Sequence, residues 1–184
     1  MRLPRGTPWP GPLVADPMNS KLFTIGFTKK TAEEFFHLLQ EAKVQKLIDI
    51  RENREGQLAG FAKYPDLAFF LDRLLGIKYE YQPIFAPSPE IRKAYQQTRD
   101  WEQYERAFLE LMEQRNAWGQ AEPGSFKGRV ALLCSEAEPD KCHRRLVAEM
   151  LAKRWKAQGH QVEVQHLVVL KPAPRRKRKS KVHA

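Results

Sequence analysis

The chain has 184 residues, 42% of them hydrophobic and 29% charged, with a formal net charge of +10 at pH 7. That length supports one domain with a real core, and no apolar run approaches the ~20 residues a membrane span needs. The N-terminus lacks the compact apolar stretch of a secretory signal, and two cysteines are too few for a disulfide scaffold, which points to a reducing, cytoplasmic setting.

Residues 1–20 carry Pro4, Pro8, Pro10, Pro12 and Pro17 without hydrophobic periodicity and read as a disordered leader. Met18, just before the first strand-like run, is an alternative translation start to Met1. Leu22-Phe23-Thr24-Ile25-Gly26 reads as a buried strand. Thr31 then opens a helix, with Glu34 three residues on as a capping box. Residues 44–50 form a second strand, and the polar, glycine-containing segment 51–60 a mobile loop. Leu67, Phe70, Leu71, Leu74 and Leu75 mark a helix stopped by Gly76. Residues 77–81 alternate as a third strand ended by Pro83.

Residues 84–128 break this rhythm with a helix begun at Ser88-Pro89 and a longer one capped by Asp100. In the longer helix Trp101, Tyr104, Phe108, Leu111 and Met112 recur at helical spacing, as a core-packing stripe or a lid. Residues 130–134 return to a strand, about 142–156 to a helix, and 162–167 alternate as a last strand. The order predicts an α/β fold: a single domain with a mostly parallel twisted sheet of about five strands, flanked by helices in Rossmann-like layering. The domain spans 21–170, with a helical insertion at about 84–128 and a disordered basic tail at 171–184.

Two strand ends carry charge at two-residue spacing, Asp49 with Arg51 and Cys134 with Glu136. Alternate strand residues share a face, so in a parallel sheet these side chains gather at the carboxyl edge, where open α/β sheets bind ligands. Glu136 and Asp49 are the acid or base candidates, since crowded carboxylates raise one another's pKa. The turn signal Pro139-Asp140 leads into Cys142-His143-Arg144-Arg145. The free N–H groups at that helix start, with Arg51 and Arg144, form a candidate receptor for phosphate or carboxylate. Cys142 near a helix start and arginines is a thiolate candidate, and Cys134 is either a reactive thiol or a small buried hydrophobe. No metal site is assigned to Cys134, Cys142 and His143: the spacing is wrong, and adjacent Cys and His seldom both reach one ion. The reading requires no cofactor.

In order along the chain, Thr24-Ile25-Gly26, Asp49-Ile50-Arg51, Cys134-Ser135-Glu136 and Cys142-His143-Arg144 resemble the pattern of a bacterial and archaeal family named as domain of unknown function 488. The resemblance covers about residues 21–168. It implies an α/β fold with a site at these positions, and it adds Thr24, Gly26 and His143 to the candidate ligand-binding residues. It brings no established reaction. The chain departs from the family at Phe27-Thr28, where His-Ser is frequent, and at Ile84-Phe85-Ala86-Pro87, which replaces a glycine-rich segment.

Seven of the positive charges lie from Lys171 onward with no acid among them, and Arg175, Arg176, Lys177, Arg178 and Lys179 are consecutive. Such an arm neutralises phosphates and gives salt-sensitive, sequence-blind binding to nucleic acid. Three readings therefore stand together. The first is an enzyme acting on a nucleotide, nucleic acid or other phosphate-bearing ligand. The second is a non-catalytic nucleic-acid or partner-binding module using the tail. The third is thiol or sulfur-transfer chemistry at Cys142 or Cys134.

Overall fold

The computed structural model describes residues 19–56 and 59–169; the proline-rich leader, Met18 and the basic tail lie outside them. Five strands form one parallel sheet: β1 (Asn19–Gly26), β2 (Lys46–Asp49), β3 (Lys78–Tyr81), β4 (Gly128–Cys134) and β5 (Gln161–Leu167). Their order is β3-β2-β4-β1-β5, every pairing is parallel, and the central strands are apolar on both faces, as parallel sheets require. β1 begins inside the stretch read as leader. Its extra residues are fixed by pairing, since Ser20 lies opposite Gly128 and accepts the Gly128 N–H at 3.0 Å.

Six helices flank the sheet: α1 (Ala32–Glu41), α2 (Asp66–Leu75), α3 (Pro89–Thr98), α4 (Trp101–Gln114), α5 (Ala117–Gln120) and α6 (His143–Ala157). The capping box of α1 is formed in both directions, Glu34 N–H to Thr31 Oγ1 at 3.1 Å and Thr31 N–H to Glu34 Oε2 at 2.8 Å. Gly76 ends α2 with φ of 63°, a left-handed conformation that favours glycine. Asp100 caps α4 through the Gln103 N–H at 3.0 Å.

The helices divide between two faces. α1 and α2 pack Phe35, Leu39, Leu67 and Leu71 on Phe23, Ile25, Leu47, Ala131 and Leu133. On the other face α4 and α6 pack Phe108, Met112, Val147, Leu151 and Trp155 on Leu22, Ile48, Val130 and Leu132. The aromatic stripe of α4 is thus part of the core. Chain leaving β2 runs toward the first face and chain leaving β4 toward the second. The two segments diverge at the carboxyl edge, which is how a crevice forms in an open α/β sheet. No helix of the described residues is long and apolar enough to cross a membrane.

Candidate functional site

The residues singled out in the sequence meet at the carboxyl edge, but on opposite faces of the sheet. In the register, Asp49 lies opposite Leu133, one residue short of Cys134. A one-residue offset reverses the face. Asp49 therefore follows Leu47 onto the α1–α2 side, whereas Cys134 follows Val130 and Leu132 onto the α6 side.

On the first face Asp49 and Arg51 form a closed unit. Arg51 Nε donates to Asp49 Oδ1 at 2.8 Å and Nη2 to Oδ2 at 2.6 Å, a bidentate pair. The Arg51 backbone N–H adds a bond to Oδ1 at 3.1 Å and the Tyr79 hydroxyl one to Oδ2 at 2.8 Å. Arg51 Nη1 reaches the Ala62 carbonyl at 2.9 Å, tying down the segment that precedes α2. Asp49 is fully buried and Arg51 nearly so. Burial, reinforced by the Asp49 charge and hydrogen bond, holds the Tyr79 hydroxyl far above the usual tyrosine range. Arg54 lies over the Tyr64 ring at 3.7 Å and the Tyr81 ring at 4.3 Å.

On the second face the elements converge on two sulfurs. Cys134 ends β4, and Cys142 is the residue before the first turn of α6. Their sulfur atoms are 2.9 Å apart, and neither is in a disulfide. Arg144 Nη1 donates to Cys134 Sγ at 2.9 Å and lies 3.6 Å from Cys142 Sγ. The same guanidinium binds the intervening loop, Nη1 to the Glu136 carbonyl at 2.5 Å and Nη2 to the Ala137 carbonyl at 3.1 Å. His143 Nε2 lies 3.3 Å from the Ile50 carbonyl. It must donate there, which leaves Nδ1 bare, 3.9 Å from Cys142 Sγ.

The two thiols are driven apart. Burial pushes Cys134 up, but the hydrogen bond from Cys142, the Arg144 charge and the Glu136 N–H together hold it below its ordinary value. Burial pushes Cys142 up, and the Cys134 hydrogen bond and charge push it further, well above its ordinary value. Of the two, Cys134 is thus the more acidic thiol and Cys142 the less acidic one. Burial also lowers His143 to about 4, so the imidazole is neutral. Tyr104, on α4, is held far above the usual tyrosine range by burial and then by the charges of Cys142, Cys134 and Glu136.

Gly26 and Thr24 share this face. A Cβ on Gly26 would lie 1.7 Å from the Glu136 carbonyl oxygen and 2.8 Å from Arg144 Nη1, so the bare glycine makes room for both. Thr24 Oγ1 pairs with His166 Nδ1 on β5 at 2.8 Å. Glu136 is exposed, and its carboxylate makes no hydrogen bond or ion pair among the described residues. Arg175, Arg176, Lys177, Arg178 and Lys179 lie outside the described residues.

Sequence reasoning missed two groups. Tyr79 completes the Asp49 shell, and Lys30, between β1 and α1, has its ammonium pushed down by burial and by Arg144. Arg144, a candidate anion-binding residue in the sequence, is fully buried. Its signal was phase: Arg144 is in step with Val147, Ala148, Leu151, Ala152 and Trp155, all buried.

Among the described residues Cys134, Cys142 and His143 form a group whose donor atoms lie within 4.8 Å of one another and could hold a metal ion. Arg144 already places a cation against both sulfurs, where a metal would otherwise supply the positive charge. The arrangement is two sulfurs in contact with a guanidinium against both.

Comparison with curated proteins and with solved structures finds no match. A family model matches residues 31–151, well over half of the chain, including Asp49-Ile50-Arg51, Cys134-Ser135-Glu136 and Cys142-His143-Arg144. The chain belongs to that family, domain of unknown function DUF488.

Proposed function

We propose that the protein is a thiol enzyme in which Cys134 is the attacking thiolate and Cys142 the resolving thiol. The single observation that carries this is the contact of Arg144 Nη1 with Cys134 Sγ at 2.9 Å beside Cys142 Sγ, also at 2.9 Å. The thiolate is the nucleophile in cysteine chemistry. An attacking thiolate with a neighbouring thiol converts a two-electron oxidation into a disulfide. Buried cysteines in apolar surroundings are inert; this pair differs because a guanidinium and a backbone N–H stabilise the charged form.

The phosphate reading required free cationic groups. Arg51 is engaged by Asp49 and the Ala62 carbonyl, and Arg144 by sulfur and two carbonyls. In the thiol reading Asp49 and Arg51 are positioning residues for the edge. The test is diamide oxidation of the reduced full chain, followed by non-reducing peptide mapping. A Cys134–Cys142 disulfide is expected, and two free thiols in the folded protein would overturn the proposal.

The seven tail charges favour a second, separable reading, sequence-blind contact with nucleic acid. Deleting 171–184 should abolish salt-sensitive binding of DNA or RNA while leaving thiol oxidation unchanged. Retained binding would count against it.

A further inference from the structure

Helix α2 presents a face that the fold leaves uncovered. Leu67 and Leu71 turn its other side onto the sheet. Asp66, Phe69, Phe70, Arg73 and Leu74 recur at i, i+3, i+4, i+7 and i+8, the spacing of one helical face. Phe69 is 59% and Leu74 64% exposed, and Asp66 and Arg73 are exposed beside them. Phe70 is half-buried and packs edge-on to Phe36 of α1, and Phe69 packs edge-on to Phe70. The aromatic packing of the α1–α2 layer therefore continues out to solvent at Phe69. Apolar groups grouped on one face and rimmed by charge have the composition of an interaction surface.

The charges identify what fits it. Asp66 lies in the first turn of α2 and Arg73 in the last. Neither side chain makes a hydrogen bond or ion pair among the described residues. They stand two turns apart, about 10 Å along the axis, with Phe69 and Phe70 midway between them. Laying a second α2 antiparallel on this face, about a two-fold axis level with the two phenylalanines, brings Asp66 of each copy to Arg73 of the other. The same operation sets the phenylalanines of both copies together at the centre and opposes the two helix dipoles. A parallel pairing would instead set Asp66 on Asp66 and Arg73 on Arg73. Self-complementarity under a two-fold is what a contact between identical patches requires. We infer that this face of α2 pairs with the same face of a second copy of the chain.

The size of the patch sets the strength of the contact. A ten-residue helix is about 15 Å long and ~10 Å wide with its side chains, well short of the ~800 Å² per partner of a standard interface. The dimer is therefore weak and forms at high protein concentration.

The experiment is sedimentation equilibrium of the reduced, nuclease-treated full chain from micromolar to near-millimolar concentration, with urea unfolding of each variant to establish that it is folded. The expected result is a monomer–dimer equilibrium. Phe69→Glu should weaken it about 30-fold or more, as loss of a central interface anchor does, and Leu74→Lys, at an equally exposed position, is the second variant of the apolar surface. Asp66→Arg alone and Arg73→Asp alone each set like charges together twice and should weaken association roughly 10-fold. An equimolar mixture of those two variants pairs opposite charges at both positions and should restore dimers. A chain that stays monomeric throughout would overturn the inference, as would a dimer that neither Phe69→Glu nor Leu74→Lys weakens. Single charge reversals whose mixture does not recover association would overturn the antiparallel pairing.

Discussion

Gly26→Ala tests whether the loop between β4 and α6 is held in place by Arg144. The added Cβ would lie 1.7 Å from the Glu136 carbonyl oxygen, far inside the ~3.5 Å at which non-bonded atoms meet. That oxygen is backbone, so the loop must retreat, by roughly 1.5 Å or more. Retreat breaks Arg144 Nη1 to Glu136 at 2.5 Å and weakens Nη2 to Ala137 at 3.1 Å. Hydrogen bonds to a buried charged group contribute about 1.5–3 kcal/mol each, so a loss of about 3–6 kcal/mol is expected. That is a large fraction of the 5–15 kcal/mol typical of a domain. Gly26 does not have positive φ, so backbone strain does not contribute. Urea unfolding at unchanged slope measures the loss. A change below ~1 kcal/mol, with Cys134 alkylation unaltered, would refute the packing argument.

Asp49→Ala leaves Arg51 buried without its counter-ion, and should cost about 3–5 kcal/mol in urea unfolding. Asp49→Leu combined with Arg51→Met should recover much of that loss. Cys134→Ala should destabilise by a similar ~3–5 kcal/mol because Arg144 loses its anion, whereas Cys142→Ala, which removes one hydrogen bond, should cost only ~1–2 kcal/mol; equal costs would contradict the charge assignment. His143 titrates at about 4 folded against 6.5 for an exposed histidine. Between those values the unfolded chain takes up a proton that the folded one does not, so stability falls as pH falls through this window, by about 3 kcal/mol in total. His143→Gln should flatten that part of the stability–pH curve, and an unchanged slope would show that another group carries it.

The strands were legible because buried parallel strands are continuous apolar runs, as in residues 130–134, and because turn and cap chemistry is local. Thr31 with Glu34, Asp100 and Gly76 all act within a few residues. The placement of these residues at the carboxyl edge was legible for the same reason, since charged residues end the apolar runs of β2 and β4. Which face each side chain takes was not, because that depends on pairing Asp49 with Leu133 rather than Cys134, a register that no local pattern encodes. The burial of Arg144 was not legible from its residue type, since arginines on a helix are usually solvated. Its phase with Val147 and Leu151 places it in the core, where its guanidinium contacts two sulfurs and two carbonyls. Cys134 follows three apolar residues and so reads first as a plain buried hydrophobe; only its tertiary contact with Arg144 separates it from one.

The most direct test is the pH dependence of iodoacetamide alkylation at each cysteine of the reduced full chain, resolved by peptide mass. Thiolate alone reacts, so the rate reports the charge on each sulfur. The account predicts that Cys134 titrates below an ordinary thiol and Cys142 well above one, and that Arg144→Lys narrows the gap. Two superimposed profiles at the ordinary cysteine value, or a lower apparent pKa at Cys142, would contradict it.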